Sequence, residues 1–193
     1  RWMCARARFA EDIVEQAVAG GVGQYVILGA GLDSFAYRRK DLLGRLRVFE
    51  VDHPATQTWK RQRLAGLGIE LPARLVFAPV DFERQTLREG LERAGFDSGQ
   101  LAVFSWVGVT MYLTLDAIHA ALATMARCRP GTRVVLSYNQ PPAVLTGSTA
   151  QIAAAFAGLA AEMGEPFISR FLPGEMTQLL HEHGFGQITD FGA

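Results

Sequence analysis

The chain has 193 residues, 49% of them hydrophobic, which suffices for one globular domain with a buried core. Nineteen basic residues balance nineteen acidic ones, which excludes the broad electropositive surface that nucleic-acid binding requires. The distant Cys4 and Cys128 indicate neither a zinc site nor a disulfide framework, and without a membrane-length apolar run or a signal-peptide pattern we expect a cytoplasmic protein.

Short apolar segments recur along the chain, and most of them stop at a glycine or an acid. The predicted strands are Tyr25–Leu28, Leu46–Val51, Leu75–Val80, Leu101–Val107 and Thr132–Ser137. Apolar spacing and end signals predict the accompanying helices Ala7–Ala19, Ser34–Leu43, Pro54–Leu67, Glu83–Ala94 and Leu115–Cys128. Such alternation is typical of βαβ units, so we predict a doubly wound α/β fold with a mostly parallel, Rossmann-like sheet.

After the fifth predicted strand the alternation stops. A Pro-Pro step precedes an Ala-rich helix over about Ser148–Met163, which we interpret as a helical insertion or lid within about residues 141–170 of a single domain. A helix over Gly174–His183 follows, and Gln187–Phe191 has the pattern of a sixth strand. Sheets of this kind often add one more antiparallel strand, so we expect the last strand to be missing from this sequence.

The first predicted strand ends in the turn Gly29-Ala30-Gly31. Glycine allows a sharp turn and lets a ligand approach main-chain N–H groups, because no Cβ is in the way. In open α/β sheets ligands bind at the carboxyl ends of the strands, and a turn of this kind is typical of nucleotide-like ligands. A G-x-G turn alone is weak evidence for a particular ligand, so the residues at the other strand ends are needed to identify it.

Two acids end the second predicted strand. Glu50 and Asp52 lie about twenty residues beyond the glycine turn, where a carboxylate can accept hydrogen bonds from both ribose hydroxyls. We expect their side chains to point to opposite faces of the strand, so that one acid reaches the ligand. The other then caps the helix that begins at Pro54 or pairs with an arginine.

The third predicted strand is followed by Asp81 and Phe82. One interpretation makes Asp81 the N-cap of the helix predicted from Glu83, a role that aspartate fills well. The other makes Asp81 an acceptor for the exocyclic amine of a purine and Phe82 an apolar wall beside its ring. The two interpretations are compatible.

Four motifs in this order resemble the leucine carboxyl methyltransferase family, and in particular its bacterial O-methyltransferase branch. They read VILGAGLDSFAYRR, VFEVDHP, PVDF and VTMYLT, within the stretch from Arg6 to Asn139. The resemblance implies a class I methyltransferase fold, with S-adenosylmethionine lying across the turn from Gly29 to Gly31. It also implies transfer of the methyl group to a small-molecule acceptor.

The same resemblance implies roles for individual residues. Asp52 would bind the ribose, and Asp81 with Phe82 would bind the adenine. An arginine ahead of the first helix, Arg6 or Arg8, would hold the carboxylate of the methionine moiety.

One residue departs from the family pattern. Val107 stands where the family commonly has an acid, which would suit the ammonium of the methionine moiety. The resemblance therefore implies that main-chain carbonyls at this position replace the acid, or that the cofactor binds more weakly.

No catalytic base is assigned from the sequence. Methyl transfer from a sulfonium is an in-line displacement that alignment and desolvation accelerate, and a carboxylate acceptor needs no base. For a hydroxyl acceptor, the polar residues near strand ends or on following helices are His53, Tyr112, Tyr138 and His119. Each also has an ordinary structural role, and we expect acceptor specificity in Gln140–Arg170.

Two other functions share parts of this pattern. A nicotinamide-dependent oxidoreductase uses the same strand, turn and ribose acid, but Ser34 stands where glycine or alanine is usual in its G-x-G-x-x-G motif. The bulky Leu32-Asp33 pair also suits a cofactor without a pyrophosphate. The third function is a non-catalytic binding domain that keeps the fold, which Val107 favours.

Overall fold

The structure is a computed structural model that describes residues 2–82 and 84–191, with the backbone alone for residues 2 and 3. The chain forms two compact units. The first comprises the residues up to Val107 together with Arg127–Leu136, and the second comprises Gly108–Ala126 and the residues from Ser137 onward. The sheet lies entirely in the first unit.

The sheet of the first unit consists of five parallel strands. They are β1 (Gln24–Leu28), β2 (Arg47–Asp52), β3 (Leu75–Pro79), β4 (Ala102–Trp106) and β5 (Arg133–Leu136). In space they follow the order β3-β2-β1-β4-β5, so β1 is central. The predicted parallel α/β sheet is therefore confirmed, and its order reverses between β1 and β4, beside which ligands bind in such folds.

The helices of the first unit are α1 (Trp2–Ala19), α2 (Phe35–Arg38), α3 (Lys40–Leu43), α4 (Pro54–Gly66) and α5 (Leu87–Arg93).

Aromatic rings pack edge-on against one another in the core of the first unit. The ring of Phe35 meets that of Tyr25 edge-on at 4.8 Å. Phe96 packs edge-on against Phe49 and Phe104, with ring centroids 5.5 and 5.6 Å away. Strand β1 is buried along its whole length, and its residues from Tyr25 to Leu28 form a continuous apolar run in the sequence.

The helix predicted over Ser34–Leu43 is in fact the two short helices α2 and α3. Arg39 separates them, since its backbone is not helical, with φ −96° and ψ 51°. The Arg39 guanidinium bonds to Asp41 and to Glu15 of α1. The pair with Glu15 connects Arg39 to α1, and the pair with Asp41 connects it to the first turn of α3.

The helix predicted from Glu83 begins later, at Leu87. Thr86 and Glu89 form a capping box, in which each side chain accepts a hydrogen bond from the other's main-chain N–H. The prediction that Asp81 is the N-cap of this helix is therefore wrong. Glu83 itself lies outside the described residues.

The second unit contains α6 (Leu115–Ala126), α7 (Gly147–Glu162) and α8 (Pro173–Glu182). The Met111 carbonyl accepts hydrogen bonds from the main-chain N–H groups of Ile168 and Ser169, at 2.7 and 3.2 Å. The Asn139 carbonyl accepts one from the N–H of Phe171, at 2.9 Å. Within residues 2–82 and 84–191, no helix is both long and apolar enough to cross a membrane.

The sixth strand predicted over Gln187–Phe191 is wrong. In the described part of the chain, residues 187–191 join no sheet. A strand is stabilised by main-chain pairing with a neighbour, and here the Asp190 carboxylate instead accepts a hydrogen bond from the Tyr138 hydroxyl. The alternating pattern of residues 187–191 is therefore not sufficient to form a strand.

Candidate functional site

The turn after β1 is built on two glycines with positive φ. Gly29 has φ 65° and Gly31 has φ 45°, in the left-handed region that favours glycine. The N–H groups of Gly29 and Ala30 both donate to the Val51 carbonyl of β2, at 2.8 and 3.1 Å. The turn is therefore anchored to the end of β2.

Asp52 lies where the glycine turn meets β2. Its Oδ2 accepts a hydrogen bond from the Gly31 N–H, and its Oδ1 accepts one from the His53 N–H at 2.7 Å. The side chain is only partly buried, so its remaining lone pairs can accept hydrogen bonds from a ligand. The predicted glycine turn and this acid thus form one site.

Glu50 lies in a different environment from Asp52, although it is only two residues away on the same strand. Its side chain is 0% exposed, and Oε2 lies 2.6 Å from the Lys60 ammonium nitrogen. Burial raises the pKa of Glu50 to about 7, against the opposing effect of Lys60. Asp52 therefore contacts the glycine turn, whereas Glu50 is buried in the interior against Lys60.

A cavity of about 200 Å³ opens beside the turn. It is lined by Arg6 and Glu11 of α1, by the end of β1 and its turn, by Asp33, and by Ser105 and Val107 at the end of β4. Predicted site residues Arg6, Gly29, Ala30 and Val107 are thus brought together at one edge of the sheet.

Arg8, the other arginine considered for the cofactor, does not line this cavity. It forms an ion pair with Asp12 one helical turn later, with 2.7 Å between Nη2 and Oδ1. Its side chain is 65% exposed. The geometry therefore distinguishes the two arginines that the sequence left equal.

Two acids in the cavity lining were missed by the sequence reasoning. Glu11 accepts hydrogen bonds from the Arg38 guanidinium, and Asp33 Oδ1 accepts one from the Phe35 N–H at 2.7 Å. Burial raises the pKa of Asp33, and the nearby charge of Glu11 raises it further. Asp33 stands inside the glycine motif, so its position was the available signal, whereas Glu11 depends on how α1 packs.

Asp81 and Phe82 follow β3 and are half-buried. They do not line the cavity. Because β3 pairs with β2 and the Val80 N–H donates to the Asp52 carbonyl at 2.9 Å, they lie at the same carboxyl edge as Asp52. The Asp81 carboxylate lies 3.6 Å from Arg84 and 3.9 Å from His53.

The polar residues considered as bases have structural contacts. His53 caps α4 by accepting from the Ala55 N–H at 3.2 Å. His119 Nδ1 lies 2.9 Å from His183 Nε2, and the Tyr112 ring packs against Phe167. In the part of the chain that the structure describes, no three His, Cys, Asp or Glu residues are grouped to hold a metal ion.

Comparisons with known sequences agree with the motif pattern. A family model described as leucine carboxyl methyltransferase matches residues 1–126. YktD of Bacillus subtilis (strain 168), named as a candidate S-adenosyl-L-methionine-dependent methyltransferase, is 34% identical over 181 residues, which are 93% of this chain and 59% of the relative. A relative with the same description from Mycobacterium ulcerans (strain Agy99) is 39% identical over 132 residues, 65% of this chain and 42% of the relative. The chain thus spans about half the length of these relatives.

Solved structures share the fold at low sequence identity. A DUF574 family protein from Streptomyces avermitilis has a TM-score of 0.63 and 14% identity, covering 91% of this chain and 68% of that one. The mitomycin 7-O-methyltransferase MmcR has a TM-score of 0.58 and 19% identity, covering 85% of this chain and 43% of its own. The methyltransferase SibL has a TM-score of 0.57 and 17% identity, covering 89% and 48%. The fold is that of class I methyltransferases.

Proposed function

Because the chain belongs to the leucine carboxyl methyltransferase family, we propose that it binds S-adenosylmethionine and transfers its methyl group to an oxygen of a small molecule. The observation that carries the proposal is the hydrogen bond between the Asp52 carboxylate and the Gly31 N–H. It joins the acid suited to a ribose to the turn suited to close approach of a ligand. Together they form the adenosine side of a cofactor site.

The adenosine would lie along the carboxyl edge of β1, β2 and β3. In this proposal Asp52 accepts hydrogen bonds from the ribose hydroxyls, and Asp81 accepts one from the adenine amine, with Phe82 as an apolar wall. The half-buried state of Asp81 and Phe82, next to β2, supports this assignment.

The methionine moiety would occupy the cavity beside the turn. Arg6 supplies the positive charge for its carboxylate, and Glu11 and Asp33 supply negative charge for its ammonium. These two acids would replace the acid that the family commonly has at the position of Val107, because Glu11 from α1 and Asp33 after the turn both line the cavity. An acid at position 107 is then not needed.

The chemistry needs little from the protein beyond placement. The cofactor supplies an electrophilic methyl group on a sulfonium, whose positive charge is consumed during an in-line displacement. Groups that align the acceptor and exclude water accelerate such a step. An oxygen acceptor is supported by the family description, which names a carboxyl group, and by the name of MmcR, which names an O-methyl transfer.

Calorimetric titration of the chain with S-adenosylhomocysteine and, separately, with NADH tests the proposal. We expect micromolar binding of S-adenosylhomocysteine and no binding of NADH. Binding of NADH alone would contradict the proposal and favour a nicotinamide-dependent oxidoreductase. Incubation with S-adenosylmethionine labelled in its methyl group, followed by recovery of label in small molecules of an extract, separates an enzyme from a binding domain.

A further inference from the structure

A buried ion pair lies beneath the glycine turn. The Lys60 side chain of α4 is 5% exposed and that of Glu50 is 0% exposed, with 2.6 Å between Nζ and Oε2. The same ammonium donates a second hydrogen bond to the main-chain carbonyl of Asp33, at 2.8 Å. Lys60 therefore connects a buried strand acid to Asp33, two residues beyond the glycine turn.

The sequence of α4 delivers this lysine to the sheet. His53 and Pro54 start the helix directly after β2, which fixes its position relative to that strand. Gln57 and Lys60, three residues apart, are its buried residues, and the Gln57 amide donates to the Glu50 carbonyl at 2.7 Å. The neighbouring Arg61 and Arg63 are exposed. The buried face of α4 is thus polar and is directed at Glu50.

Stability alone is a poor explanation for this pair. The free energy lost when a lysine and a glutamate are removed from water is about as large as the free energy gained from their attraction. Well-packed apolar residues in their place often give a folded state that is equally stable. An apolar side chain at position 60 could not, however, donate to the Asp33 carbonyl. The hydrogen bond to the turn is what the lysine supplies specifically.

The contact also bears on the cavity. The Asp33 carbonyl is held by Lys60, while the Asp33 carboxylate lines the cavity and accepts from the Phe35 N–H. The Lys60 ammonium lies 5.7 Å from the centre of the Tyr37 ring, a further contact that restricts its position. Lys60 thus holds the main chain from which the Asp33 side chain extends, and the Phe35 N–H holds its carboxylate.

We propose that Lys60, neutralised by Glu50, is a positioning residue that holds the turn from Gly29 to Asp33 in the shape that binds the cofactor. The inference rests on the proposed function, since it assigns the turn to S-adenosylmethionine. Lys60 does not line the cavity. It acts through the Asp33 carbonyl.

The test compares Lys60→Met, the double variant Glu50→Gln with Lys60→Met, and Glu50→Gln alone. Lys60→Met leaves Glu50 without its cation, so we expect both thermal stability and S-adenosylhomocysteine affinity to fall. The double variant removes both charges and should regain most of the stability. Its affinity should remain about tenfold or more below that of the unaltered chain, because the Asp33 carbonyl still has no donor. Glu50→Gln alone leaves Lys60 without its anion and should also lower thermal stability, but it keeps the donor and should bind within about threefold of the unaltered chain.

Arg63→Met, which removes an exposed charge from the same helix, is the matched control and should change neither quantity. Hydrogen exchange of the N–H groups of Gly31 and Phe35, measured without ligand, should be faster in the double variant. A stable double variant with unchanged affinity and unchanged exchange would overturn the inference. If the unaltered chain binds no S-adenosylhomocysteine, the proposed function fails, and the exchange rates still decide whether Lys60 holds the turn.

Discussion

Glu11, Asp33 and Arg6 give the cavity beside the glycine turn groups of both charges. The carboxylate and the ammonium of an amino acid need partners of opposite sign, so this lining suits the zwitterionic end of S-adenosylmethionine. Glu11 is itself held in place by Arg38 and lies near Arg39. A carboxylate fixed in this way is ready to receive an ammonium without further ordering.

Glu11→Gln tests this assignment, because it keeps the size of the side chain and removes its charge. We expect S-adenosylhomocysteine to bind about fivefold more weakly, which corresponds to about 1 kcal/mol. By contrast, 5′-methylthioadenosine, which has neither ammonium nor carboxylate, should bind the variant and the unaltered chain equally. Calorimetric titration with both ligands measures the difference.

Asp12→Asn, which removes an acid from the same helix outside the cavity lining, is the control for Glu11→Gln. It should leave the affinity for both ligands unchanged. An equal loss for both ligands in Glu11→Gln would count against the assignment, because it would indicate a general change of the cavity.

The pair of acids on β2 shows what the sequence could predict about single residues. The expectation that Glu50 and Asp52 point to opposite faces is wrong, because residues two apart on a strand point to the same face. Which of them is enclosed depends on Lys60, which α4 brings to β2 from ten residues away. Such a tertiary contact has no local signal. The sequence therefore left open a choice that packing decides.

At the scale of elements, strands were predicted better than helix ends. Strands β1, β2 and β4 are mostly buried, so they appear as apolar runs in the sequence. The observed bounds of all five strands differ from the predicted ones by at most one residue at either end. The late start of α5 did have a signal, since Thr86 and Glu89 have the spacing of a capping box. Nothing in the sequence indicates that Gln187–Phe191 would not form a strand, because a strand needs a neighbouring strand to pair with.

Two elements of the second unit meet through a pair of histidines. His119 of α6 and His183, which directly follows α8, lie 2.9 Å apart between Nδ1 and Nε2. Burial and the neighbouring His119 lower the pKa of His183 below its ordinary 6.5. Below that pH the unfolded chain therefore binds a proton that the folded chain resists, so the free energy of unfolding should fall as the pH falls.

His183→Gln should remove this pH dependence in part. Between about pH 7.5 and pH 5.5, we expect the unfolding temperature of the variant to fall less than that of the unaltered chain. Thermal unfolding followed by circular dichroism measures it. His181→Gln, which replaces an exposed histidine two residues earlier, should behave like the unaltered chain. The same decline in all three proteins would show that the pair does not set the pH response.

Across the whole molecule, the sequence predicts the proposed cofactor site in more detail than the proposed acceptor site. The first unit contains the sheet, the glycine turn, Asp52 and the cavity. The segment in which we expect acceptor specificity, Gln140–Arg170, belongs to the second unit. Cofactor motifs can be predicted from sequence because backbone geometry restricts them, whereas acceptor contacts vary with the substrate. The chain also spans about half the length of its curated relatives.

We propose that the adenosine of S-adenosylmethionine lies where Asp52 meets the glycine turn. The most direct measurement is the calorimetric affinity for S-adenosylhomocysteine of the unaltered chain, of Asp52→Ala and of Glu70→Ala. Glu70 is exposed, so its variant removes the same charge elsewhere. We predict that Asp52→Ala weakens binding by about tenfold or more, because the ribose hydroxyls lose a charged acceptor, and that Glu70→Ala changes nothing. Equal affinity of Asp52→Ala and the unaltered chain would contradict this position of the ribose.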